Sequence, residues 1–575
     1  MVKILTPMKK NLRKQNITQL LIAIVIILLV NYISSNKYFR LDLTADKRYT
    51  LSEATHQILD SLDDAVYIKV YLDGEMPIGF QRMQKSITEL MDEFRVIAGV
   101  KVQYTFVNPS ESSDESKRNA IYKDLYHRGL NPTNVKDRDE EGGMVEKILF
   151  PGAILTFKDK ETPINLLVNN PGLSAEVNLN NSIQALEYEF INAINKITTT
   201  KRKKIAFIEG QGELDEYSTG DITRELNEYY DIDRVTIKEH LHILDPYDAV
   251  IIAGPKREYS EKSKFILDQY IMNGGKVLWF IESVNISMDS LASGNGMAFA
   301  FMNDVNLGDQ LFKYGVRVNP NIIQDVQCAV IPVNTAIAGQ QAKFAPAPWL
   351  YFPLISISSN NPITKNLNML KLEFPSSIDI VGNQSDVKKQ VLLSTSIQSK
   401  LLNVPLMVRL GEVKNQVDPR SFNSPNNSMA VLLDGEFESV FKNRPLTKIL
   451  EGNNFEFVER SEPTKMIVVS DVDIIRNDVT QRADGVFLSP LGYDRYTKQT
   501  YGNKEFVMNA VHYLVDESGI LDVRSREFKL RLLDKERIKR DKIKWQFINT
   551  VLPIVLILLF GFYMTYRRRK KYATD

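Results

Sequence analysis

Two uncharged apolar segments at opposite ends of the chain constrain its fold more than any other feature. Residues 17–33 hold an unbroken apolar core from Leu20 to Val30, and residues 547–566 carry no charge over 20 positions. A helix needs about 20 apolar residues to cross a bilayer, so membrane helices are expected at 17–35 and 546–566. Pro553 is compatible with the second, because partner helices can satisfy the carbonyl that a proline frees. Lys3, Lys9, Lys10, Arg13 and Lys14 precede the first segment, and Arg567, Arg568, Arg569, Lys570 and Lys571 follow the second. Positive flanks stay on the cytoplasmic side. The tails 1–16 and 567–575 are therefore expected inside, and the bulk of the chain across the membrane.

Charge is distributed to match. The net charge of +1 divides into +9 on the tails, +6 on residues 524–544 and −14 on residues 37–523. An acidic main body argues against nucleic-acid binding, which calls for a basic excess. The segment 524–545 reads as a charged juxtamembrane stalk. The single cysteine, Cys328, excludes a disulfide framework, a C-x-x-C redox pair and any multi-cysteine metal site.

Between the ends, period-two and period-3.6 patterns alternate. Ser52 is the expected cap of a helix running to about Leu62. Val66, Ile68, Val70 and Leu72 form a strand pattern, and Met83, Ile87, Leu90, Phe94 and Ile97 a helix stripe. Val100, Val102, Tyr104 and Phe106 alternate again, and a helix is expected near 115–128. Strands at 153–157 and 164–168 are expected to form a hairpin, and residues 183–197 a closing helix. The order β-α-β-α-β-β-α predicts a thioredoxin-like α/β domain over 36–199. Strands at 205–208, 232–237, 249–253 and 277–281 alternate with helices at 219–229 and 260–272, which implies a parallel sheet. A second, flavodoxin-like (amidotransferase-like) α/β domain is expected over 200–523. It would carry an insertion at about 285–390, and strands near 429–433 and 466–470 would complete its sheet.

Motifs for chemistry are sparse. Gly210-x-Gly212 follows a strand, but a dinucleotide fingerprint needs glycine where Asp215 stands, and no Walker motif is present. Cys328 lacks the glycine neighbours of a nucleophile elbow. His240-x-His242 has no acidic partner cluster to complete a zinc site. Asp139, Glu140 and Glu141 read as a solvated loop. No catalytic, cofactor-binding or metal-ligating residue is assigned.

Leu41-Asp42-Leu43-Thr44 and Arg48-Tyr49-Thr50-Leu51-Ser52, directly after the first apolar segment, resemble a bacterial family of ABC-transporter auxiliary proteins. So do residues 186–194, residues 205–213 with Gly210, Gly212 and Glu213, residues 247–255 and 274–279, and the closing stretches 502–514 and 530–534. The chain looks like the gliding-motility members of this family found in Bacteroidota. Gln211 departs from the pattern, since many relatives carry histidine there. The resemblance implies a non-enzymatic role beside a membrane permease and a cytoplasmic ABC ATPase, in gliding and its linked secretion. The motif residues Asp42, Leu43, Thr44, Arg48, Tyr49, Leu51, Ser52, Gly210, Gly212 and Glu213 would serve structure or contact. Pro553 and Gly561 would pack against the permease. Topology and resemblance together imply a bacterial inner-membrane protein with its main body in the periplasm, membrane lipid as a neighbour and two copies per complex. Two rivals remain: a tethered module binding a ligand between 66–197 and 201–282, and a hydrolase using Cys328.

Overall fold

Short apolar strands alternating with amphipathic helices give this chain a mixed α/β architecture. The structure, a computed structural model, describes residues 12–36, 50–138, 144–167, 174–199, 201–238, 240–334, 341, 343–355, 361–365, 367–382, 386–414, 418–450, 455–483, 485–516, 518–524 and 535–572. Two compact units emerge, one from residues 1–50 with 527–575 and one from residues 51–526.

The terminal unit contains the helices Leu12–Asn36 and Lys535–Tyr572. Among the described residues, one helical stretch is long and apolar enough to cross a membrane, Ile538–Lys570, while the apolar run Ile17–Asn31 is shorter. Residues 535–545, expected as part of a separate stalk, are the first turns of the same helix that carries the apolar run.

The larger unit starts with a four-stranded sheet. Strand Val102–Phe106 pairs parallel with Val66–Val70, and Gly152–Phe157 and Lys160–Asn165 follow antiparallel. Helix Ile78–Ala98 buries Met83, Ile87, Met91 and Phe94. Met91 takes the core position expected of Leu90, because a strict 3.6-residue repeat carries the stripe through 87, 91 and 94. Val100, expected in the next strand, is 83% exposed in the short 3-10 turn Gly99–Lys101. The hairpin turns two residues after Phe157, with Lys158 at φ 52°, so its second strand begins at Lys160 rather than 164. Lys160, Glu161 and Thr162 hid that strand, since it shows little apolar alternation on a sheet edge. Pro163 fits there, because an edge strand tolerates a missing ladder donor. A second hairpin, Thr133–Arg138 with Met144–Leu149, is too polar to show in the apolar pattern.

The second sheet has seven strands, in the order Val387–Ser394, Ser428–Gly435, Thr464–Val469, Lys276–Phe280, Ala249–Ala253, Lys204–Glu209 and Asp231–Thr236. The last five run parallel. Ala249–Ala253 is buried throughout, whereas the edge strand Asp231–Thr236 alternates with exposed polar residues. Burial on both faces explains the unbroken apolar runs of the central strands. Residues 387–390, expected at the end of the insertion, instead begin the sheet's other edge. Strands Leu406–Arg409 and Ser399–Asn403 return to the added layer, pairing with Met297–Met302 and Asn321–Asp325. That layer is therefore threaded twice, which a linear reading of insertion boundaries cannot express.

Several stretches that carry the resemblance meet in this unit. Ser52 caps helix Glu53–Asp60, its side chain accepting the Thr55 N–H. Glu187 Oε1 accepts from the Ser52 N–H at 2.7 Å and from the Thr55 hydroxyl at 2.8 Å. The chain's entry into the unit is thereby tied to helix Ala175–Thr198. Arg524, at the first position of the expected stalk, lies in helix Ile520–Arg524 inside this unit. Its guanidinium donates to Asn509 Oδ1 at 2.6 Å and stands 5.4 Å from the Tyr188 ring centre. An acceptor shared by two buried donors leaves both unsatisfied when removed, at about 1–3 kcal/mol. Glu187→Ala is therefore expected to lower unfolding stability by that amount in urea denaturation of the full chain, with Glu187→Gln losing less.

Candidate functional site

In a parallel α/β sheet, ligands gather at the carboxyl ends of the strands, near the point where strand order reverses. Here that point lies between Lys204–Glu209 and Ala249–Ala253, because the strand that follows the first, Asp231–Thr236, pairs on its opposite side. Gly210, Gln211, Gly212 and Glu213 turn away from the first of these strands. Gly210 (φ 121°) and Gly212 (φ 82°) occupy backbone conformations that side chains disfavour, which explains the spacing of the two glycines.

The turn is self-contained. The Gln211 N–H donates to Glu213 Oε2 at 2.7 Å, and Glu213 Oε1 accepts from the Tyr259 hydroxyl at 2.6 Å. The Gln211 carbonyl accepts from the Lys256 and Arg257 N–H groups at 2.9 and 2.8 Å. A phosphate loop needs such amides open to an anion; the carboxylate of Glu213 already takes one of them. Gly210, Gly212 and Glu213 thus brace the turns following two neighbouring strands. Gln211 Oε1, at the departure from the resemblance, is buried with no hydrogen-bond partner.

Beyond these turns lies a group of ionisable residues that the sequence analysis did not single out. Glu282 follows strand Lys276–Phe280, Asp471 and Asp473 follow strand Thr464–Val469, and Glu373 comes from the added layer. Asp471 accepts the N–H groups of Glu373 at 2.7 Å and Asp473 at 2.8 Å. Arg476 meets Asp473 at 2.7 Å, and Lys371 meets Glu373 at 2.9 Å. Asn503, from the closing stretch of the resemblance, fixes Lys371 by bonding both its N–H and its carbonyl, at 3.0 and 2.8 Å. Burial pushes the Glu282 carboxyl up to about 8 and the Asp473 carboxyl up to about 6. Burial also holds Asp471 well above the carboxylate range. The negative charge of Asp473 raises Arg476 further. The one mark of this group in the sequence is the pair Asp471 and Asp473, two acids directly after a parallel strand.

Of these, Lys371, Glu373, Asp473, Arg476 and Asn503 border a cleft of about 1080 Å³, lined also by Phe352, Tyr493, Asp494 and the strand residues 330–334. A smaller cavity of about 460 Å³ lies between the two sheets and includes Tyr229, Tyr230 and His512. His512 is buried against Tyr230, Nδ1 to hydroxyl 2.6 Å, and burial lowers it to about 4. The ligand-binding rival placed its pocket at this junction; the larger opening is at the strand ends.

The remaining candidates lie apart from the cleft's ionic wall. Cys328 is half-buried in strand Cys328–Asn334, and burial pushes its thiol up to about 11, the opposite of an activated nucleophile. His242 is exposed and bonded to Asp245 at 2.8 Å. Among the described residues, no group of three or more His, Cys, Asp or Glu is placed to hold a metal ion. Leu51 and Ser52 sit at the Glu187 junction, with Leu51 packing on the first sheet's core. Pro553 and Gly561 lie on helix Lys535–Tyr572. Asp42, Leu43, Thr44, Arg48, Tyr49, Asp139, Glu140 and Glu141 fall outside the described residues.

Comparison with known proteins gives a direction. A family described as an ABC-type uncharacterized transport system matches residues 202–510, and a domain of unknown function matches residues 45–156. A Borreliella burgdorferi protein described as uncharacterized is 21% identical over 572 residues, covering 97% of this chain and 99% of its own. Two solved structures each align over 55% of this chain. The mmIFT52 N-terminal domain is 13% identical over 98% of its length, with a TM-score of 0.31. A putative ThuA-like protein from Parabacteroides merdae is 10% identical over 91% of its length, with a TM-score of 0.25. At such scores neither alignment carries an argument.

The raised carboxyls make a prediction about pH. Glu282 keeps its proton to about 8 when folded but gives it up near 4.5 when unfolded. The folded chain therefore holds the extra proton, and stability falls as pH rises from about 4.5 to about 8. Glu282→Gln, always neutral, escapes this loss. Discounted for partial exposure, it should stabilise the chain by about 1–3 kcal/mol at pH 8 and by nothing near pH 4.5. Melting temperatures across that range test it; a gain independent of pH would contradict it.

Proposed function

The chain belongs to the ABC-type uncharacterized transport system family, an auxiliary component of ABC transport, and we propose that it is a non-catalytic, membrane-anchored auxiliary subunit. The carrying observation is the 38-residue helix Lys535–Tyr572, with its apolar run followed by a basic end. Trp545 lies at one end of that run, and Tyr563 and Tyr566 at the other, where amphipathic rings favour the two membrane interfaces. Residues 12–36 supply a second helix, and basic residues flank both on the tail side. This supports two spans, both termini in the cytoplasm and residues 36–523 in the periplasm of a bacterial inner membrane. The sequence has no Walker motif, so ATP hydrolysis belongs to a cytoplasmic ABC ATPase acting through a permease. ATP-driven permease movement would pass to the periplasmic region through the charged 524–545 segment. Gliding motility and its linked secretion are the process this arrangement serves, on the resemblance of residues 41–52 and the later motifs. Two copies per complex follow from the usual two-fold symmetry of ABC cores.

The finer fold reading has support of the same kind. Taken in chain order, the five parallel strands lie 2-1-3-4-5, the flavodoxin-like order. Without its polar hairpin, the first sheet follows the β-α-β-α-β-β-α order of a thioredoxin-like domain.

Purification of the full chain from bacterial membranes in mild detergent should bring a permease and an ATPase with it. Their absence would overturn the subunit reading. Small residues let membrane helices approach closely, and a Cβ on Gly561 would meet nothing within 4 Å in this chain. Gly561→Leu is therefore expected to leave the chain folded and to cut permease recovery by more than half. Undiminished recovery would remove Gly561 from the contact.

A further inference from the structure

The cleft at the strand ends has two unlike walls, and each is incomplete. One wall is strand Cys328–Asn334, an edge of the three-stranded sheet with Phe344–Ile355 and Leu370–Lys371. Pro332 faces Pro346, and Val330 faces Pro348. Prolines cannot donate to a ladder, so these are the non-hydrogen-bonded pairs of the hairpin. The Val330 N–H and carbonyl and the Pro332 carbonyl must then point to the opposite edge, where no strand pairs among the described residues. Exposed apolar side chains line the same cleft, Phe344 on the partner strand at 65% exposure and Met297 at 49%.

The other wall is ionic, and its cations are engaged. Lys371 is held by Glu373, Arg476 by Asp473, and Arg495 by the Tyr496 hydroxyl at 3.0 Å. One buried anion, Asp494, has only a long ion pair with Lys371. Asp494 is 3% exposed, and its Oδ1 accepts the Tyr496 and Thr497 N–H groups at 2.8 and 3.4 Å. Its Oδ2 has no hydrogen-bond partner and stands 4.0 Å from Lys371 Nζ. A buried carboxylate oxygen without a donor costs free energy that a ligand can recover. The group it lacks is a donor, and a charged donor binds it best.

We infer that this cleft binds an extended peptide segment, which adds to the strand edge at Val330–Pro332 and delivers a lysine or arginine side chain to Asp494. Strand addition gives affinity through backbone bonds and specificity through alternate side chains. A cleft of about 1080 Å³ holds several residues rather than one cation. An open edge in a cleft that also exposes Phe344 and Met297 favours a backbone with apolar neighbours to its basic residue. The buried carboxylate disfavours acidic and phosphorylated segments.

The test uses the full chain in detergent micelles, immobilised and exposed to a random library of blocked nonapeptides. Enriched peptides are expected to share one Lys or Arg beside β-branched or aromatic residues. Asp494→Asn keeps the Oδ1 acceptor, so folding should survive, and it should weaken the best peptide at least tenfold. Replacing that peptide's basic residue by norleucine should cost the same factor, and the two changes together little more than either. No enrichment over empty micelles, enrichment of acidic or uncharged peptides, or unchanged affinity in Asp494→Asn would each overturn the inference. The norleucine arm does not depend on a protein variant. Binding is read on the chain alone, so the outcome is separate from whether transporter subunits co-purify.

Discussion

Burial of both faces of the seven-stranded sheet governs the larger unit. Ala249–Ala253 is buried at every position, and Lys276–Phe280 at all but its first. The centre of such a sheet has no polar face, so charge near it collects where the strands end. Glu282, Asp471 and Asp473 all stand just past strand carboxyl ends, under the added layer. Their raised carboxyls follow from that placement: the same burial that stabilises the sheet strips water from its rim. The cleft is thus a consequence of the sheet and of the layer folded over it.

The turn at 210–213 shows how a motif can keep its shape without the expected chemistry. Two glycines after a parallel strand would suit a phosphate loop. Glu213 instead fills the turn with its own carboxylate and joins it to Tyr259. The glycines allow the turn, and the acid settles its use as a brace between adjacent strand ends. The Glu187 contact plays a similar role elsewhere, tying Ser52 and Thr55 to a helix more than 130 positions away. Stretches that looked like separate signatures along the chain are contact partners in the fold.

Much of the fold was legible from periodicity. Ala249–Ala253 begins and ends where its apolar run does, and Ser52 and Ser260 cap the helices expected to start there. What escaped was polar or non-local. The hairpin strand at Lys160 and the hairpin at Thr133–Leu149 carry too few apolar residues to register. The candidate site was hardly legible: Lys371, Glu373, Asp473 and Asp494 are scattered over more than 120 positions, and single ionisable residues have no period.

By itself, the sequence determined the kind of protein this is: apolar ends with basic flanks, an acidic middle, and strands that alternate with helices. Those features depend on local composition and repeat, which a chain carries regardless of how it packs. Tertiary structure decided what the middle can do. It carried residues 387–390 out of the expected insertion and into the central sheet, and it drew Arg524 into the globular unit. It also left Asp494 buried, with one oxygen lacking a hydrogen bond, in the cleft that strand Cys328–Asn334 lines. Burial and pairing between distant residues exist only once the chain has closed on itself.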